Sequence, residues 1–298
     1  MNRQRLYISL AILVAGMAMV IGIALRERGS NESTPRVRIT ASSPTPSPGA
    51  TGTRGDQSSQ AGSTSPPSFV DALGYPVDLR GHTVKQLASE LRPSAASGDR
   101  YAQFQLYRLE SICARIPEQE AALDQLPVGS GDSERATLAQ QVAAAKSACI
   151  GMDAQTLSAE RLRNLDEAAS SGLMDAEVAY YVEGPSGRPY QASEGTSSSP
   201  EIEQWKRQSI AYLIDAVNQG DRLAMTMLSM AYENGQVAPK NLQLSLQYAA
   251  AEAYSRGLDP GTQSVVNNLV KQLSADQVST ALASAKAIAK TCCRAGRS

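Results

Sequence analysis

The chain has 298 residues, with 28 Lys and Arg against 29 Asp and Glu, a formal net charge of −1 and one histidine. A near-neutral chain without a basic run lacks the electrostatic footprint of a nucleic-acid binder, so no nucleic-acid partner is expected. One histidine excludes a His-rich metal site and an H-E-x-x-H motif, and no G-x-S-x-G, Walker or G-x-G-x-x-G pattern occurs; no metal, cofactor or catalytic set is expected.

Residues Tyr7 to Leu25 form a nineteen-residue run without a charge, bracketed by Arg3 and Arg5 before and Arg26 and Arg28 after. At about 1.5 Å per helical residue this run is long enough to cross a bilayer core of about 30 Å. It outlasts the apolar region of a signal peptide and ends in a poor cleavage context, Leu25-Arg26-Glu27-Arg28, so an uncleaved anchor is expected over residues 1–28. The flanking arginines leave the positive-inside rule almost silent. The short leading tail and the cysteine usage favour a single-pass protein of the bacterial inner membrane with its domain in the periplasm, a cytosol-facing domain being the alternative. Ala11, Ala15, Ala18 and Gly22 are spaced for close approach of two such helices, which would permit a homodimer.

Residues 29–68 follow as a Pro/Ser/Thr/Gly tether with Pro35, Pro44, Pro46, Pro48, Pro66 and Pro67 and no aromatic residue before Phe69. Such a segment cannot bury enough apolar surface to offset ordering its backbone, and is expected to be disordered.

From residue 69 to 298 the pattern becomes helical. Apolar residues recur at three and four: Leu106, Leu109, Cys113, Ile116; Leu138, Val142, Ala145, Cys149; Ile202, Trp205, Ser209, Leu213, Ala216. This is the stripe of amphipathic helices packed on one another. Gly98-Asp99, Asp132-Ser133, Asp153 and Gly220-Asp221 supply helix starts. The spacing predicts helices near 82–92, 99–116, 133–149, 154–170, 173–182, 201–219, 222–234, 241–256, 261–273 and 275–290, with a connection at 117–132 and no strand.

A punctuation recurs along these helices: Ala-Ala-Ser-Gly98, Ser-Ser-Gly172, Asn-Gln-Gly220 and Ser-Arg-Gly257 each close one helix before the next. Residues 220–257 carry the fullest unit, with Ala224, Leu228, Ser229, Tyr232, Gly235, Val237, Asn241, Ser245, Tyr248 and Gly257 at fixed steps. This stretch resembles a Sel1-like repeat, a relative of the tetratricopeptide repeat, with Ser229, Asn241 and Ser245 departing from the usual glycine, aspartate and alanine. Partial units cover 166–184 and 203–220, and a fainter one 95–109. The resemblance implies an all-α, irregular helical-repeat domain behind the transmembrane helix, serving as a protein-binding scaffold without a defined active site.

Outside that pattern, a few residues invite a functional reading. His82 reads as a surface or capping residue. Glu110, Glu177 and Glu183 are acids inside helices or at their ends that carboxylate chemistry would need. Cys113 and Cys149 lie on apolar stripes of helices joined by 117–132, which permits a disulfide, buried thiols being the alternative. Cys292 and Cys293 sit at a helix end, available for intermolecular pairing. The polar insertion at 183–200, with Arg188 and Tyr190, is a partner loop or a disordered segment. Tyr180, Tyr181, Trp205, Tyr212, Tyr232 and Tyr248 are the candidate protein-binding residues, because large amphipathic rings contribute binding energy with few rotors to freeze; inter-helix packing is the alternative for Tyr232 and Tyr248. The leading function is a membrane-tethered helical scaffold that binds another protein in the cell envelope. The alternatives are a cell-wall or exported-protein processing enzyme or foldase-like factor, and a structural part of a secretion or pilus assembly.

Overall fold

A computed structural model of the chain describes residues 69–126, 132–190 and 199–292. The expected domains at 1–28 and 29–68 lie outside these residues, as do Cys293 and residues 191–198 of the polar insertion.

The first described element is not helical. β1 (Phe69–Val70) pairs antiparallel with β2 (Pro76–Val77), Phe69 opposite Val77 and Val70 opposite Pro76. Two-residue strands offer no alternation to read in a sequence. Their turn is closed by buried Asp71, whose Oδ1 accepts from the amides of Leu73 and Tyr75, both at 2.9 Å. Arg108 Nε donates to Asp71 Oδ2 at 2.7 Å, and its Nη2 donates to Pro76 O at 2.8 Å. One guanidinium therefore clamps the hairpin to the helix that carries it.

α1 (Val84–Ala96) starts at a reciprocal cap in which Thr83 and Gln86 satisfy each other's amides. It runs through Pro93, past the expected stop at 92. α2 (Arg100–Ala114), capped by Asp99, is followed after one residue by α3 (Ile116–Gln125). This helix replaces most of the expected connection at 117–132. Pro117 stands in its first turn, where a missing N–H has no partner to lose. Then come α4 (Asp132–Ala148), α5 (Ala154–Ser170, capped by Asp153), α6 (Met174–Glu183) and α7 (Pro200–Gln219, capped by Ser199). The chain continues with α8 (Arg222–Asn234, capped by Asp221), α9 (Leu242–Ser255, capped by Asn241), α10 (Ser264–Val270) and α11 (Ala275–Cys292). A 3₁₀ turn at Pro260–Thr262 takes the start of the helix expected at 261.

The packing follows a path: α1 on α2, α2 on α5, then α5, α6, α7, α8 and α9 each on the next, with α11 returning onto α9. α3 and α4 are an excursion from that path. They pack on each other, and α4 turns Val142 and Ala145 inward, with Cys149 buried just past its end. A disulfide joins Cys113 at the end of α2 to Cys149 just past α4, with Cα atoms 5.6 Å apart. In the chain-entropy picture a crosslink over a loop of this length stabilises by about 2–4 kcal/mol.

Corresponding positions in the path make the same contacts. Gly98-Asp99-Arg100 opens α2 and Gly220-Asp221-Arg222 opens α8, with aspartate capping each helix. Arg100 Nη1 donates to Ser171 O at 3.0 Å, at the end of α5, and Arg222 Nη2 donates to Ser255 O at 3.1 Å, at the end of α9. With α6/α7 packed between them along the path, α2/α5 and α8/α9 are thus matching helix pairs, the first carrying α3 and α4 between its members. Within the last pair, Ser229 Oγ and Ser245 Oγ lie 3.2 Å apart, both buried. Each serine hydroxyl supplies the hydrogen-bond partner that the other needs in the core. Gly220 holds φ +103°, and a side chain there would press on Cys292 O of α11.

The expectation of a fold built behind a transmembrane helix is corrected. Among the described residues no helix is long and apolar enough to cross a membrane. The longest of them, α7, carries Glu201, Glu203, Lys206, Arg207 and Asp215. The segment 7–25, on which the anchor rested, lies outside the described residues. The membrane-tethered function, the inner-membrane partner, the single-pass periplasmic location and the homodimer through the anchor are set aside with it. What stands is an all-α, irregular helical domain carrying one short hairpin.

Candidate binding groove

α1 and α5 both lie against α2, and the space between them is a groove of about 580 Å³. α2 supplies its floor through Gln103, Leu106 and Glu110, residues three and four apart on one helical face. Arg92, Ala95 and Ala96 of α1 form one wall, and Glu160, Arg163, Asn164 and Glu167 of α5 the other. The floor is polar where a core stripe would be apolar. Glu110 is 1% exposed and Gln103 6%. Asn164 Nδ2 donates to Glu110 Oε2 at 2.9 Å, and Arg92 Nη2 stands 3.6 Å from Glu110 Oε1 and 3.9 Å from Glu160 Oε2. Gln103 Nε2 donates to Ala95 O at 3.3 Å and Glu167 Oε2 at 2.9 Å, while its Oε1 has no hydrogen-bond partner. Burial raises the Glu110 carboxyl above the ordinary range against the opposing pull of Asn164 and Arg92. The groove can therefore accept hydrogen bonds and positive charge at its floor, and it offers methyl groups on the α1 side.

The other two acids singled out from sequence occupy separate settings. Glu183, at the end of α6, lies between Arg161 and Arg115 and accepts from Tyr107 Oη at 3.1 Å. Arg161 Nη1 reaches Glu183 Oε2 at 2.7 Å and its Nη2 donates to Gly187 O at 2.9 Å. Burial, then the Glu183 charge, holds the Tyr107 hydroxyl well above its ordinary value. Gly187 has φ +75°, and a methyl group there would collide with the Arg161 guanidinium. Glu183 is thus the centre of a structural ion cluster.

Glu177, on α6, accepts from Gln219 Nε2 at 2.9 Å through one oxygen, and the other has no partner. Burial, followed by the nearby Asp215, pushes its carboxyl up to about 7. An acid raised on folding contributes its full share of stability below its unfolded value near 4.5 and loses it as pH rises through 7. Glu177→Gln is expected to stabilise the fold at pH 8 by about 1–2 kcal/mol after solvent screening, and to leave it unchanged near pH 4.5. Urea midpoints at the two pH values test this; an equal shift at both would contradict it.

The six aromatic candidates form two groups. In the first, Tyr180 and Tyr212 meet edge to face with centroids 5.1 Å apart, and Tyr181 stacks on Trp205 at 6.4 Å. Trp205 Nε1 donates to Tyr180 O at 3.3 Å, and Tyr190 packs on the indole at 5.4 Å. In the second, Tyr232 and Tyr248 stack at 6.0 Å between α8 and α9. Trp205, Tyr212 and Tyr248 are buried, whereas Tyr180, Tyr181 and Tyr232 keep part of their surface. Burial pushes the Tyr180 and Tyr181 hydroxyls up to about 12 each. None of the six lines the groove. His82 is exposed, and Thr83 rather than His82 caps α1.

The groove residues, apart from Glu110, escape a sequence reading that looks for rings and known motifs. Their one signal is a polar pair, Gln103 and Glu110, seven apart on a stripe that also carries Phe104, Leu106 and Tyr107.

No family model and no curated protein matches the chain. Among solved structures it is similar to the crystal structure of a protective antigen of uropathogenic Escherichia coli that displays an SLR fold, a name that denotes Sel1-like repeats. The likeness is distant and partial: 15% identity and a TM-score of 0.38, covering 69% of this chain and 41% of that one. A similarity this loose carries no argument about fold or function.

Proposed function

We propose that the helical domain is a protein-binding module that takes an extended peptide segment into the groove between α1 and α5. The observation that carries this reading is the groove itself, whose floor buries the Glu110 carboxylate, held by Asn164 and more loosely by Arg92, and a Gln103 amide oxygen without a partner. Buried polar groups of this kind cost stability unless they are paired, and a ligand that pairs them binds with specificity. We further infer that α2/α5, α6/α7 and α8/α9 are Sel1-like repeats. That reading is supported by the matching Arg100 and Arg222 contacts and by the Ser229–Ser245 pair. Stacked helical hairpins of this sort make extended binding surfaces.

The test is a selection of random displayed peptides on the full chain, followed by affinity measurements on an Ala96→Trp variant. Ala96 is exposed on the groove wall, so an indole there occupies the groove without disturbing the core. Selected peptides are expected to bind the variant at least tenfold more weakly. Peptides that bind both proteins equally, or no selected peptides at all, would remove the reading.

A further inference from the structure

We propose that the groove receives a basic side chain of the bound peptide, an arginine or lysine whose charged head takes the place that Arg92 holds between Glu110 and Glu160. This inference rests on the peptide-binding reading above and names the chemistry that the peptide must carry. Three carboxylates line the groove, those of Glu110, Glu160 and Glu167, against the two guanidinium groups of Arg92 and Arg163. Arg163 is turned toward Glu167, its neighbour one helical turn along, at 3.8 Å. Glu110 and Glu160 therefore share a single cation. That cation holds them loosely: 3.6 and 3.9 Å exceed the 2.7–2.9 Å of a charge-assisted hydrogen bond. The Arg92 side chain is also 48% exposed, free to swing toward solvent.

A buried carboxylate requires a close positive partner, and Glu110 has one only at arm's length. An incoming guanidinium or ammonium brings several N–H donors to that oxygen and to Glu160. Basic side chains are also amphipathic. Their methylene stems match the wall and floor that Ala95, Ala96 and Leu106 provide, while the head reaches the acids. An acidic or purely apolar side chain fails one half of that match.

The experiment titrates the full chain with the pentapeptide Gly-Ala-Arg-Ala-Gly, blocked at both ends, and with its citrulline counterpart, which keeps the shape and removes the charge. The arginine peptide is expected to bind at least tenfold more tightly. Glu110→Gln, which retains the Asn164 hydrogen bond, and Glu160→Gln, at a half-buried position, should each weaken it severalfold; Glu160→Gln serves if the buried variant misfolds. Equal affinity for the two peptides, or unchanged binding of the arginine peptide to Glu160→Gln, would overturn the inference. If both peptides bind equally and both are lost on Ala96→Trp, the peptide-binding reading survives and the basic side chain does not. Selected groove-dependent peptides that lack basic residues would likewise remove the basic side chain and leave the groove in place. If neither peptide binds and selection yields no groove-dependent sequence, both fall together.

Discussion

Arg161→Met is expected to destabilise the folded domain by about 3–5 kcal/mol, the cost of breaking a buried ion pair from one side. The Arg161 side chain is 4% exposed and that of Glu183 1%, so Glu183 would lose its most deeply buried cation while remaining out of water. Arg115 and Tyr107 still contact the carboxylate, which places the expected loss toward the lower end of the range. Gly187 O would lose its donor as well, loosening the turn after α6. A double variant, Arg161→Met with Glu183→Leu, should recover much of the loss, because an apolar pair of similar volume removes the stranded charge. Arg115 is 28% exposed and can then turn to solvent. Urea unfolding with a shared slope measures both. A loss below about 1 kcal/mol for the single variant, or a double variant no better than the single, would show that the cluster does not hold α2, α5 and α6 together.

Trp205→Ala should cost a similar amount, about 3–5 kcal/mol, by emptying the largest side-chain volume in the α6–α7 interface. The indole is 4% exposed and touches the rings of Tyr181 and Tyr190. It also donates to Tyr180 O, one of the last four carbonyls of α6, which have no partner within their own helix. Trp205→Phe keeps most of the packing and removes that hydrogen bond, so it should cost only about 1 kcal/mol. Thermal or urea unfolding supplies the stability arm, and affinity for selected peptides the binding arm. Stability is expected to fall while affinity per folded molecule stays constant. Weakened binding at unchanged stability would instead return Trp205 to the binding surface.

Helical class was legible because it depends on local chemistry. Asp99, Asp153 and Asp221 cap the helices that they were expected to start, and Val142, Ala145 and Cys149 turn inward as their spacing requires. The Cys113–Cys149 bond was legible for the same reason, since both cysteines lie on inward stripes. The hairpin was not, because its register is set by Asp71 and by Arg108, which lies far along the chain. α3 was missed because Pro117 carries two meanings, a stop inside a helix and a start at its first turn. The groove was the least legible part. It arises where α1 and α5 meet α2 across the α3–α4 excursion, and no local pattern records that meeting. Tyrosines and tryptophan attract attention as binding residues, yet Trp205, Tyr212 and Tyr248 are largely taken up by packing between consecutive helices.

Amide hydrogen exchange of the full chain, with and without a selected peptide, locates the binding surface on the helical path. Binding in the groove predicts slowed exchange confined to segments of α1, α2 and α5 that contain Arg92, Gln103 and Glu160, with α8 and α9 unaffected. Slowing around Tyr232 and Tyr248, with α1 and α5 exchanging as before, would place the binding surface at the other end of the helical path and contradict the groove.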